Sequence, residues 1–297
     1  MHKANKEIEE ALPKVDLFIE VLDARIPYSS ENPLLGQIRG DKPVIKVLNK
    51  SDLSDPEVTQ QWQDYLEREQ GVKALVLNAE EKTQIRQILD LCRQLIPAKQ
   101  GKSLHAMIMG IPNVGKSTLI NILAGRIAAK TGNEPAVTKA QQRIKIDDHF
   151  FLHDTPGVLW PKIHNQNSSY RLAVTGAIKN TAIEYEDVAF YAAEYLLQAY
   201  PERLKARYKL DELPQTEMAF FEEIGANRGC LRKGGQVDLN KISQIFLTEL
   251  RAGTLGQISL ETPEMREVEV KEVELAEQKK AEKKATRKGK KTSNRRR

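Results

Sequence analysis

Two cysteines are all that 297 residues contain, and Cys92 and Cys230 stand too far apart for any paired motif. That scarcity excludes a disulfide framework and a cysteine-built metal box, and it fits a reducing cytosol. No run of eighteen apolar residues exists, which excludes a membrane-spanning helix. The N-terminus also lacks the charged-then-apolar layout of a secretory signal. A soluble, cytoplasmic protein with no membrane partner is therefore expected. Acidic residues are scarce in one place only. From Lys279 to Arg297 there are eleven Lys or Arg against one acid, Glu282, so this tail outweighs the whole-chain charge of +5 and leaves the body net acidic. A basic tail suits a polyanion, because each neutralised phosphate releases counterions; a solvated, disordered end is the plainer alternative.

What is present is ordinary for a globular chain: 40% hydrophobic and 29% charged residues, in a length sufficient for two domains. Apolar runs rich in β-branched residues fall at 16–22, 43–48, 74–79 and 105–110, followed by "RIKID" (143–147) and "HFFLHD" (149–154). Between them, helical spacing links Val58, Trp62, Tyr65 and Leu66, then Ile85, Ile88, Leu89, Cys92 and Leu95, and a further helix starts at Ser117. Strands alternating with helices predict an α/β fold, a mainly parallel sheet with helices on both faces and an antiparallel hairpin at one edge. Beyond Trp160 the spacing becomes purely helical. One helix runs through Val188, Tyr191, Tyr195 and Ala199 to Pro201, a second carries Met218, Phe221 and Ile224, and a third leads from Asp238 to Gly253. The expected division is an α/β domain (1–160), a linker (161–176), a small all-helical domain (177–264) and a charged, disordered tail (265–297), basic from 279.

"GIPNVGKS", residues 110–117, fits G-x-x-x-x-G-K-[ST] between a strand and a helix. Glycines at 110 and 115 let backbone N–H groups turn toward the α- and β-phosphates. Lys116 reaches the β/γ oxygens, Ser117 ligates Mg²⁺, and the helix N-terminus adds a favourable dipole. Average composition makes an accidental match on the order of one in a hundred for a chain this long.

"VLNKSDL", residues 47–53, ends another strand with Asn49, Lys50, Ser51 and Asp52. The Asp52 carboxylate can accept from guanine N1–H and its exocyclic amine, whereas adenine would leave it unpaired. That difference supports discrimination of roughly ten-thousandfold. Asn49 would bond the other base edge and the Lys50 stem would cover its face. N-K-x-D alone is a weak signal, but here it stands at the C-terminal end of a strand, where open α/β sheets place ligands. Asn78 and Ala79, ending the next strand, could close over the base. Asp154 to Gly157 read D-x-x-G, with Asp154 toward Mg²⁺ and the Gly157 N–H toward the γ-phosphate; Thr138 is the candidate switch threonine. The nucleotide-binding set is Asn49, Lys50, Ser51, Asp52, Asn78, Ala79, Asn113, Val114, Gly115, Lys116, Ser117, Thr118 and Gly157. The metal set is Ser117, Thr138 and Asp154, and the catalytic set is Lys116, Thr138 and Gly157. GTP and Mg²⁺ are the cofactors expected.

Ordinary GTPases run phosphate loop, switch threonine, D-x-x-G, N-K-x-D, base-closing loop. In this chain the last two come first, a circular permutation. "VLDARIPYSSENP", "LNKSDL", "GIPNVGKSTLIN", "DTPGVLWPK", "GCLRKGGQVDL" and "LETP" together resemble the ribosome biogenesis GTPase A (YlqF) family over residues 1 to about 264. The resemblance implies a circularly permuted GTPase that acts in late assembly of the large (50S) ribosomal subunit and contacts ribosomal RNA through its helical domain. A monomer with no DNA partner is expected. Two departures stand out. The chain opens at "MHKANKEI", just past where the family carries an aromatic–proline–glycine–histidine segment whose histidine is a proposed catalytic group; a misplaced start is the reading favoured, and His2 does not inherit that role. Ala136 and Lys139 flank Thr138 where the family often has glycine and a second threonine.

After Gly157 comes Val158, which cannot hydrogen-bond a water as the glutamine of many GTPases does. Slow intrinsic hydrolysis is expected, with the water positioned on docking to the ribosomal particle. Arg228, Arg232 and Lys233, among glycines in "NRGCLRKGG", could clamp an RNA backbone or be plain solvated charges. His149 and His153, four apart in a strand, lie roughly 13 Å apart, too far to share a metal. Trp160 reads as packing. The alternatives are an ATPase or small-molecule kinase on the same loop, a nucleotide-gated RNA tether with little catalysis, and a GTPase serving the small subunit or tRNA.

Overall fold

The structure is a computed structural model that describes residues 10–79, 81–97, 101–129, 142–155, 163, 165–178 and 184–293. Thr138, Gly157, Val158 and Trp160 lie outside these residues. Six strands form one sheet: β1 (Leu17–Asp23), β2 (Val44–Asn49), β3 (Val72–Val76), β4 (Leu104–Gly110), β5 (Gln142–Asp147) and β6 (Phe150–Asp154), in the spatial order β3-β2-β1-β4-β6-β5. All neighbours are parallel except the β5–β6 hairpin at the edge. β1 and β2 are buried along their whole length, as central strands covered on both faces must be.

The sheet order explains how a permuted chain keeps one site. β4, which feeds the phosphate loop, lies between β1 and β6, and β2, which feeds Asn49 to Asp52, lies one strand beyond β1. Because β2, β3, β4 and β6 run parallel, Asn49–Asp52, Asn78, the phosphate loop and Asp154 all stand at one C-terminal edge. One apolar cluster, with Ile19, Val47, Ile108, Leu119 and Ile120, packs on one face and runs on into the helical region through Leu172, Ala192 and Phe246. The other face is filled by Phe18, Leu22, Leu48, Met107 and Trp62. Trp62 comes from the helix Pro56–Leu66, which starts with proline in its first turn and is capped by Asp55, whose side chain accepts from the N–H groups of Glu57 and Val58. As expected from its helical spacing, Cys92 is core, and burial drives its thiol pKa up.

The helical region has one helix more than its spacing suggests. Pro201 ends Tyr185–Ala199, yet it also opens Pro201–Tyr208, because proline suits the first turn where its missing N–H costs nothing. Glu217–Asn227 and Leu239–Arg251 follow. Met218, read as core, is 44% exposed; Phe220 and Phe221 fill that face instead, edge-on to Phe246. Two further differences concern stretches read as unstructured. The polar run at 164–169 contributes Asn165 as the cap of a helix, Gln166–Val174, that buries Ser168, Arg171, Leu172, Ala173 and Val174. The tail expected to be disordered from 265 is helical, Pro263–Ser293, and its first turns are tied to the body through Glu269.

Candidate nucleotide site

The phosphate loop leaves β4 at Gly110. A Cβ there would sit 2.8 Å from the Val21 carbonyl of β1, so only glycine lets the two strands approach. Asn113 and Gly115 both take positive φ, +64° and +91°, curling the loop onto the N-terminus of the helix Lys116–Ala124. Asn49 Nδ2 donates to the Val114 carbonyl at 2.6 Å, across 65 residues of sequence. A side chain at Gly115 would run into that same amide. The base-reading strand end and the phosphate loop are thus clamped together by a buried hydrogen bond.

Lys116 is buried, and its Nζ bonds Asp154 and, at 2.6 Å, the Thr155 carbonyl. The Thr155 hydroxyl in turn donates to the Ile108 carbonyl at 2.9 Å, fixing the end of β6 against β4. The structure therefore brings Lys116, Asp154 and the start of the D-x-x-G turn together, with Ser117 half-buried in the first helical turn beside Lys116. Asp52 lies exposed in the loop after β2. Ser51 N–H donates to the Leu77 carbonyl at 3.2 Å, which draws the loop of Asn78 and Ala79 to the same rim.

Several residues at this site were given no role from the sequence, although "VLDARIPYSSENP" and "LETP" contain some of them. Asp23, at the end of β1, is buried and receives Arg25 Nε at 2.9 Å, Arg25 Nη2 at 2.8 Å and Lys50 Nζ at 3.0 Å. Burial alone would raise its pKa, but Arg25 and Lys50 hold the carboxyl well below the usual range. The segment after the last helix of the helical region lies against the base-reading loop. Ile258 N–H donates to the Leu53 carbonyl at 2.9 Å, Leu260 N–H to the Arg25 carbonyl at 2.9 Å, and Asp55 N–H to the Ser259 hydroxyl at 3.2 Å. On the phosphate side, Asn113 Nδ2 donates to the Gly176 carbonyl at 2.8 Å, and Arg251 holds the preceding turn through the Val174 and Ala173 carbonyls at 2.8 and 2.7 Å. In the sequence, Asp23 and Arg25 stand in "VLDARIPYSSENP" as a charged pair where a buried strand ends, with no role assigned to them.

Comparison with known proteins supplies the family. A model of a family described as "50S ribosome-binding GTPase" matches residues 105–213. Ribosome biogenesis GTPase A of Priestia megaterium is 45% identical over 277 residues, covering 90% of this chain and 96% of the relative. Its namesake in Bacillus cereus is 46% identical over 273 residues, covering 89% and 92%. This chain belongs to the ribosome biogenesis GTPase A family. Among solved structures, GDP-bound YlqF of Thermotoga maritima superimposes with a TM-score of 0.63 at 27% identity, covering 86% of this chain and 99% of that one. The GNP-bound form from the same organism gives 0.60. The expected fold, a permuted α/β GTPase domain with helices after it, is confirmed by that likeness.

The residues read as RNA contacts are less alike than their spacing suggests. Arg228 is committed to the fold: it pairs with Glu249 at 2.7 Å and lies over the Tyr208 ring. Arg232 and Lys233 stand exposed on a tight turn closed by the Leu231–Val237 bridge, with Arg232 touching Asp238 at 3.2 Å. His153 lies 3.0 Å from His105, on the neighbouring strand, and not near His149 in any metal cluster; among the described residues none exists. No helix among the described residues is long and apolar enough to cross a membrane.

Proposed function

We propose that this chain is a magnesium-dependent GTPase of late large-subunit assembly, hydrolysing GTP when docked on the pre-ribosomal particle. The observation that carries the reading is the Asn49–Val114 bond, which sets side by side two motifs that lie far apart in sequence. Asp52 and Asn49 would read guanine, Lys50 cover it, Ser51, Asn78 and Ala79 close its rim, and Asn113 to Thr118 hold the phosphates. Ser117 and Asp154 offer hard oxygen donors of the kind Mg²⁺ takes, with Thr138 as a third candidate. Bound there, the ion would neutralise charge on the β- and γ-phosphate oxygens.

In the reaction a water oxygen bonds to the γ-phosphorus as the bond to the β–γ bridging oxygen breaks. GDP leaves, and the proton of the water passes to phosphate and solvent. Lys116 and the Gly157 N–H would stabilise charge on the transferred group. Val158 offers the water no hydrogen bond, so orientation must come from elsewhere, which fits activation on a ribosomal particle. Arg232 and Lys233 present the exposed charge through which the helical region would meet ribosomal RNA as a monomer. GTP turnover measured alone, with purified large subunits and with small subunits tests the assignment. Acceleration by large subunits is expected; acceleration by small subunits alone would move the protein to another particle. Separately, Asp52→Asn should cost guanine-nucleotide affinity on the order of a thousandfold or more, and unchanged affinity would end the guanine reading.

A further inference from the structure

The N-K-x-D motif does not stand alone in this fold. Lys50 is one of three non-glycine residues with positive φ among the described residues, at +63°, a conformation a lysine keeps only when its surroundings hold it there. What holds its side chain is Asp23, with Lys50 Nζ 3.0 Å from Oδ2. Asp23 itself cannot swing. Arg25 grips both its oxygens, the Arg25 N–H donates to Oδ1 at 3.1 Å, and the Asp23 N–H donates to the Ser30 hydroxyl at 3.1 Å. Asp23 and Arg25 are each about 2% exposed, so the pair belongs to the floor of the site. Arg25 also feels the charge of Asp52, and its buried Nη1 has no hydrogen-bond partner among the described residues. One arginine therefore fixes the residue that anchors Lys50.

We propose that Asp23, locked by Arg25, is a positioning residue that orients Lys50 across the guanine face, so that guanine-nucleotide affinity depends on a carboxylate outside the recognition motif. The inference rests on the nucleotide site argued above. A lysine stem left free samples many rotamers, and ordering it on binding costs affinity. Anchoring its ammonium on a fixed, buried carboxylate removes that cost beforehand. The same anchor explains a charged residue at the end of the most buried strand in the sheet.

The test is a double-mutant cycle in the full-length protein, reading GDP and GTP dissociation constants by titration. Asp23→Asn and Lys50→Met should each weaken both nucleotides about ten- to a hundredfold, the loss that accompanies a charge-assisted hydrogen bond. The double variant should be no worse than the weaker single within about twofold, because both remove one interaction. In turnover the Asp23→Asn loss should fall on KM rather than kcat, which a merely destabilised fold would not produce. Lys50→Met keeps the methylene stem and leaves Asp23 and Arg25 paired, so it stays informative where Asp23→Asn fails to fold. Wild-type affinity in Lys50→Met, or additive losses in the double variant, would overturn the proposal. If the unaltered protein shows no preference for guanine over adenine nucleotides, the site reading itself falls, a different failure.

Discussion

Arg171 is the most consequential single side chain outside the nucleotide loops. It is 1% exposed in the helix Gln166–Val174 and meets two carboxylates there. Its Nη1 bonds Glu261 at 3.1 Å and Glu269 at 2.9 Å, and its Nη2 bonds Glu269 at 2.7 Å. Glu261 is fully buried, accepts from Ser29 of the short helix Pro27–Ser30, and offers its carbonyl to the Trp62 indole at 3.0 Å. The guanidinium thus joins its helix to the C-terminal segment carrying Glu261 and Glu269, and Glu261 in turn reaches Ser29 and Trp62. Arg171→Met keeps the volume and removes the charge, leaving Glu261 buried without a cation. Breaking a buried pair from one side costs about 3–5 kcal/mol, which for a chain of this size lowers Tm by about 5–8 °C. The loss should depend on pH. Burial already raises the Glu261 pKa, with Arg171 opposing; without Arg171 it rises further. A carboxyl whose folded pKa lies above its unfolded one destabilises the fold increasingly as pH climbs past the unfolded value. The variant's deficit should therefore be larger at pH 8 than at pH 5, by calorimetry or circular dichroism. Adding Glu261→Gln and Glu269→Gln should restore much of the Tm by removing the orphaned charges. A single variant within about 2 °C of wild type at both pH values would refute the reasoning.

Two further perturbations probe other parts of the molecule. Gly115→Ala should abolish tight nucleotide binding, since φ is +91° and the new Cβ meets the Asn49 amide. Backbone strain of about 1–2 kcal/mol and the lost buried hydrogen bond, about 1–3 kcal/mol, together predict a loss of roughly a hundredfold, measurable by GDP titration. Glu20, opposite Lys46 in the sheet, has its pKa pushed up to about 8 by burial and then by Glu31, against the pull of Lys46. Folded Glu20 then holds a proton that the unfolded chain has released, so wild-type stability should fall as pH rises from about 5 to 8. Glu20→Gln should remove that slope and gain up to a few kcal/mol at the alkaline end, at about 1.4 kcal/mol per pKa unit; parallel Tm–pH curves for the two proteins would count against it.

The strands and the nucleotide loops were legible because their signals are local. An apolar β-branched run ending in Asn-Lys-x-Asp or opening into a glycine loop states its own position on the sheet edge, and the order of those motifs reveals the permutation. Polar positions buried by distant partners state nothing of the kind. "HNQNSS" reads as linker because its neighbours in sequence offer it no core; Glu261 and Glu269, some hundred residues later, give that segment its reason to fold. Met218 illustrates the same limit in the core. Its spacing fits a buried face, yet the choice between it and Phe220 is settled by the shape of Tyr208 and Phe246. Pro201 was ambiguous for another reason, since proline both ends a helix and begins one.

The contacts around the site close into a ring that the permutation makes covalent. From Leu53, beside the base-reading residues, hydrogen bonds lead to Ile258; the chain behind it leads to Arg251, which holds the carbonyls of the turn whose Gly176 bonds Asn113 in the phosphate loop. The helix held by Arg251 is in turn the next element after the D-x-x-G strand among the described residues. An unpermuted GTPase must pass a change at D-x-x-G back into its own sheet. Here the chain continues straight into the helical region, and that region returns to touch both nucleotide loops. Coupling between two sites is reciprocal in free energy. A partner that displaces the helical region must then alter guanine-nucleotide affinity by the factor through which the nucleotide alters affinity for that partner. The binding of GDP and GTP with and without the large subunit is where that equality can be read.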